Sequence, residues 1–236
     1  MEKVINLRLP HIGEQIFENI DTDDLIQFLE VSTTWKILAE NVLLKRWKGK
    51  IMGACTNQRT EIVKLLLEYC NSEDSGLNTR HEYGCTVFMA ACFYGPKDIV
   101  QLLLNHPDTN IDLNETSDDG LTAFMLACMK GNEDIVQFLH SYPNIELNAR
   151  WNNGMTAFMS ACMNGNKDIV QLLLSYPNIE LNARTNYGIT AFLFACSSGH
   201  ANVIKLLLSK STIDLIASPG EVRTAFVSAC TNRHKD

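Results

Sequence analysis

The chain has 236 residues and a formal net charge of −7, with 20 Lys and Arg against 27 Asp and Glu. That balance argues against a nucleic-acid or anionic-membrane surface, and no apolar run reaches the roughly 18 residues that suggest a membrane span. Eight cysteines occur without a CxxC pair or a Cys/His cluster of zinc spacing, so neither a metal nor a cofactor is expected. In chain order, MEKVINLRLP lacks the apolar core of a secretory signal.

Residues 9–47 read as three short helices. Pro10 suits a first helical turn, and Ile12, Ile16, Phe17 and Ile20 share one face. DTDD interrupts them, and Thr22 or Asp23 can cap a second helix. Leu25, Phe28, Leu29 and Val31 form its apolar stripe. A third helix opens at Thr33 or Thr34 and carries Trp35, Leu38, Ala39, Val42 and Leu43. Three helices in about 40 residues bury little core, so the unit must lean on the next domain or on a partner.

From residue 48 a period takes over. Thr86, Thr122, Thr156, Thr190 and Thr224 are spaced 36, 34, 34 and 34, and Cys92, Cys128, Cys162, Cys196 and Cys230 keep the same spacing. Residues 48–80 form a degenerate first unit. Fuller units follow at 81–116, 117–150, 151–184 and 185–218, and residues 219–236 begin another. The longer first interval reflects an insertion at Thr109–Asn110. Within a unit, Gly154 marks a turn and Thr156 caps a helix. Ala157, Phe158, Ala161 and Cys162 fall at helical spacing. Gly165 ends that helix, Asp168 opens the next, and Pro177 stops it. NIELNAR then runs extended to the next turn. The expected fold is an all-α solenoid in which stacking buries what no unit can bury alone. Cysteines one repeat apart are too distant to pair. They read as free, buried thiols in a reducing compartment.

The units GMTAFMSA and GLTAFMLA resemble the ankyrin repeat, with Ala, Phe and Met where that family's G-x-T-P-L-H-x-A has Pro, Leu and His. The resemblance implies a concave face built from hairpin tips and first-helix ends. Its candidate partner-binding residues are Tyr83, Phe93, Tyr94, Asp118, Asp119, Met129, Lys130, Trp151, Asn152, Met163, Asn186 and Tyr187. Aromatic anchors that vary between repeats suit a binding hot spot. Leu174, Glu180, Leu181 and Asn182 resemble the pattern read by asparaginyl hydroxylases, which makes Asn182 a candidate modification site, although a plain turn asparagine is the better explanation because Glu-Leu-Asn is built into the repeat.

The N-terminal order of Leu9–Pro10, an apolar first helix, DTDDL and VSTTW resembles an F-box. That resemblance implies contact with a Skp-type adaptor through Leu9, Pro10, Ile12, Ile16, Phe17, Ile20, Leu25, Phe28, Val31 and Trp35. Through the adaptor it implies a cullin–RING ubiquitin ligase whose protein substrate the repeats hold. An F-box followed directly by ankyrin repeats resembles effectors of intracellular bacteria, which act in the host cytoplasm. The rival reading is an interaction scaffold whose N-terminal helices cap the solenoid. No phosphate loop or nucleophile motif stands out, so an enzyme is not expected. His106 and His140 read as solvated. Asp98, Asp134 and Asp168 read as helix caps, and Met89, Met125 and Met159 as core.

Overall fold

Helical spacing of apolar residues runs through the chain, and the regular elements follow it. The computed structural model describes residues 18–30, 33–47, 50–69, 77, 80–107 and 111–213, and among these every regular element is helical. α1 (Thr22–Gln27) is capped by Asp21, not by Thr22 or Asp23: the Asp23 N–H donates to the Asp21 carboxylate at 2.8 Å. A 3₁₀ turn, Phe28–Glu30, leads toward α2 (Thr33–Trp47). Leu9, Pro10, Ile12, Ile16, Phe17 and Val31 lie outside the described residues, as do Thr109–Asn110 and the unit at 219–236.

Among the described residues the repeats supply five helix pairs. These are α3 (Ile51–Thr56) with α4 (Thr60–Tyr69), α5 (Val87–Tyr94) with α6 (Lys97–Asn105), α7 (Ala123–Lys130) with α8 (Glu133–His140), α9 (Ala157–Met163) with α10 (Lys167–Leu173), and α11 (Ala191–Ser198) with α12 (Ala201–Leu208). Every full repeat starts its first helix by one device. Thr86, Thr122, Thr156 and Thr190 hold extended backbone, and their hydroxyls accept from the N–H three residues on, at 3.2–3.4 Å. That satisfies a donor the helix leaves unpaired.

The first helices stack in one row, the second helices in another. The first row packs more closely because small residues sit at its contacts: Ala91, Cys92, Ala127, Cys128, Ala161 and Cys162 have no exposed surface. Closer packing on one side bends a stack toward that side, so the first helices line the concave face. Phe88, Phe124 and Phe158 fill the space beneath, with Met89, Met125 and Met159 buried beside them.

Three expectations need correction. Asp98, Asp134 and Asp168 stand in the first turn of their helices but do not cap them; the cap positions are Pro96, Asn132 and Asn166, without a side-chain cap bond. The acids remain well placed for the helix dipole. NIELNAR is a succession of turns rather than an extended run. His106 and His140 are half-buried and engaged: His106 Nε2 lies 2.8 Å from the Leu67 carbonyl, and the His140 ring stacks on Tyr176 with centroids 3.6 Å apart.

The core does not stop at residue 47. Leu38, Ala39, Val42 and Leu43 of α2 are buried, α2 packs on α4, and one apolar cluster runs from Leu25 to Ile213. Arg46 ties the front of the chain down, donating to Thr22 Oγ1 at 3.0 Å and to the Ile20 carbonyl at 3.1 Å. An ion pair joins Arg59 to Asp23.

Candidate functional site

Among the described residues the concave face begins with four hairpin turns of one design. The N–H at Ser117, Trp151 and Thr185 donates to the carbonyl of the residue four positions on, at 2.9–3.0 Å, and His81 does the same with Cys85. A glycine closes each turn, Gly154 at φ 82° for example, in the region where a side chain would be strained. Adjacent tips are then laced together. The Asp118, Asn152 and Asn186 N–H groups donate to the carbonyls of Tyr83, Asp119 and Asn153 in the preceding hairpin, each at 2.9 Å.

Not every residue expected to bind a partner is free to do so. Asn152 Nδ2 donates to the Asp118 carbonyl and Asn186 Nδ2 to the Asn152 carbonyl, both at 3.0 Å, so these side chains extend the lacing. Trp151, Phe93, Met129 and Met163 are half-buried and pack against the core. The residues displayed to solvent are Tyr83, Tyr94 and Tyr187, at 72%, 48% and 76% exposure, with Asp118, Asp119 and Lys130. Lys130 Nζ stands 5.5 Å from the centre of the Phe93 ring, itself edge-on to Tyr94 at 4.6 Å. Tyr83 holds φ 61° beside Gly84, a conformation costly for an aromatic residue. Its counterparts Asp119, Asn153 and Tyr187 do not share it.

Two asparagine ladders, which the sequence reading missed, run beside this face. Asn132 Nδ2 reaches the Cys92 carbonyl at 3.0 Å, and Asn166 Nδ2 reaches those of Cys128 and Met129 at 3.0 and 2.8 Å. His200 takes the same role toward the Met163 carbonyl at 2.9 Å. In the second ladder, Asn114 and Asn148 each donate to the next repeat's Asn144 or Asn178 carbonyl at 2.7 Å and accept from the Glu146 or Glu180 N–H. Asn182, the candidate for hydroxylation, belongs to it: its Nδ2 donates to the Thr212 carbonyl at 2.8 Å. The recurrence of Asn at 114, 148 and 182 was the available signal.

The described cysteines, Cys55, Cys85, Cys92, Cys128, Cys162 and Cys196, are free thiols. Burial pushes Cys55 up to about 12 and raises Cys92, Cys128 and Cys162 further. They are therefore protonated and unreactive at neutral pH. Cys85 is raised by partial burial and by the charges of Asp118 and Asp119. Among the described residues no group of three His, Cys, Asp or Glu could hold a metal ion, and no helix is long and apolar enough to cross a membrane.

Of the residues expected to meet an adaptor, Leu25 is completely buried, while Ile20 and Phe28 are half-buried against the core. Trp35 stands on α2.

No curated protein matches this chain. A family model described as ankyrin repeats in three copies matches residues 45–115 and 108–185, and one described as ankyrin repeats in many copies matches 170–208. Such repeats serve as protein-binding scaffolds. With capped helix pairs, laced hairpins and matches through residue 208, this chain belongs to the ankyrin-repeat family.

Proposed function

We propose that this chain is a non-catalytic receptor that holds a protein partner on its concave face and docks a Skp-type adaptor through residues 9–47, delivering the partner to a cullin–RING ubiquitin ligase. The observation that carries the first half is the display of Tyr83, Tyr94 and Tyr187 on a rigid frame: three aromatic side chains that the stack does not consume. The second half rests on the F-box-like order of DTDDL and VSTTW. Because Leu25 is buried, adaptor contact falls to Leu9, Pro10, Ile16, Val31 and Trp35. In this reading the chain works in the cytoplasm of a cell with such ligases, as a bacterial effector would in its host.

A purified Skp-type adaptor tests it directly. The intact chain should retain the adaptor, and Leu9→Ala with Pro10→Ala should lose it at unchanged melting temperature. An intact chain that fails to bind the adaptor ends the ligase reading. A second reading, in which residues 18–47 serve as a cap, is favoured by the burial of Leu25 and the Arg46 and Arg59 contacts. It keeps the partner-binding face and dispenses with the adaptor.

A further inference from the structure

A hollow of about 610 Å³ opens along the first helices of the leading three repeats. Its lining includes Met52 of α3, Met89, Phe93 and Tyr94 of α5, and Leu126 and Met129 of α7. Its volume is that of a small-ligand or side-chain pocket, and methionine walls adapt to irregular apolar groups. Ala90 lines it, at a place where later repeats carry Leu126, Ser160 and Phe194.

The hollow has an electrical direction. His81 and Cys85 line its hairpin end. Asp118 and Asp119 stand exposed there, close enough for both to raise the Cys85 thiol. The Asp118 carboxylate lies against Gly84. Lys130 lies at the far end of α7, roughly 10 Å away by helical rise. Tyr83, held in its uncommon conformation, stands beside the acidic end.

Resting on the concave-face reading, we propose that this hollow seats a peptide segment of the partner with a long apolar side chain next to lysine or arginine. The apolar group enters between Met89 and Met129, and the cation faces Asp118 and Asp119. A glutamate-flanked segment meets repulsion at the same end.

Fluorescein-labelled heptapeptides with a central Phe, flanked by Lys, Ser or Glu, are the probes, read by anisotropy against the full chain. The Lys-flanked peptide should bind at least fivefold more tightly than the Ser-flanked one at low salt, and the Glu-flanked one least. The gap should close near 1 M salt, where the screening length falls to about 3 Å. Asp118→Asn with Asp119→Asn should bring the Lys-flanked peptide to the Ser level. Asn152 and Asn153 occupy those places one repeat on, so the fold tolerates them. Ala90→Phe, which copies Phe194, should abolish binding of all three. Equal binding of the Lys- and Ser-flanked peptides, an unaffected Asp→Asn variant, or no binding of any probe at about 1 mM overturns the proposal. The concave-face reading fails separately, if Tyr83→Ala with Tyr187→Ala leaves capture of the natural partner intact.

Discussion

Thr156 and Ser160 stand about one turn apart on the same helix, and their hydroxyls have opposite standing. Thr156 Oγ1 accepts from the Met159 N–H, whereas Ser160 Oγ is buried without a hydrogen-bond partner. Thr156→Ala should therefore cost about 0.5–2 kcal/mol, the range for a lost helix cap. Ser160→Ala should be neutral or stabilise by up to about 1 kcal/mol, because it removes an unsatisfied group. Urea unfolding of the two variants checks both signs. Gly84 is a sharper case. A Cβ there would collide with the Asp118 carboxylate and come within 2.9 Å of its backbone nitrogen, at φ 69°. Gly84→Ala should lose about 1–3 kcal/mol, read as a lowered melting temperature. Thr156 was legible as a cap because capping is local. The Asp118 contact was not, since it joins residues 34 positions apart.

At the scale of the element, the joints between repeats are made by side chains acting on the neighbour's backbone. Asn166 Nδ2 closes two carbonyls at the end of α7, groups that a helix C-terminus leaves unpaired. Asn166→Ala should cost about 1–3 kcal/mol. Asn166→His should recover part of it, since His200 already makes one such bond. Denaturant midpoints of the three proteins decide it; equal stability of Asn166→Ala and the parent would refute the ladder's importance. The same logic explains why Asp98, Asp134 and Asp168 looked like caps. A capping acid and a first-turn acid have nearly the same sequence signature, and only the geometry of Pro96, Asn132 and Asn166 separates them.

For the whole molecule, the buried thiols set an alkaline limit. Unfolded thiols ionise near the ordinary value of 9.0, and in the folded chain burial raises Cys55 to about 12 and Cys92, Cys128 and Cys162 beyond it. Below pH 9.0 both states keep their protons, so these groups leave stability unchanged. Above it the unfolded chain sheds protons that the native state still holds, and stability falls with rising pH until the folded thiols ionise in turn. Each such thiol contributes a slope of about 1.4 kcal/mol per pH unit. Urea midpoints should be flat near neutrality and fall steeply above about pH 9, and Cys128→Ala should flatten the fall. The continuous core carries a second expectation. Removing residues 1–47 strips α2 from α4 and exposes its apolar partners, so the shortened chain should melt earlier and bind a hydrophobic dye. A melting temperature equal to that of the full chain would mark the N-terminal helices as an independent unit.

The amino-acid sequence by itself determined the repeat, its length, the threonine that starts each first helix and the small residues that let first helices approach. All of these are set by contacts within a unit or by a period that copies them. Tertiary structure alone decided which surface residues remain for a partner. Trp151, expected at a hairpin tip, instead opens its hairpin with its N–H on the Met155 carbonyl and is half-buried against the core, whereas Tyr187 stands at the tip and is 76% exposed. Asn152 and Asn186 read as tips but are spent on lacing. Exposure and hydrogen bonding across the stack depend on where the neighbouring repeat places its backbone, and that position is a property of the packed solenoid rather than of any one unit.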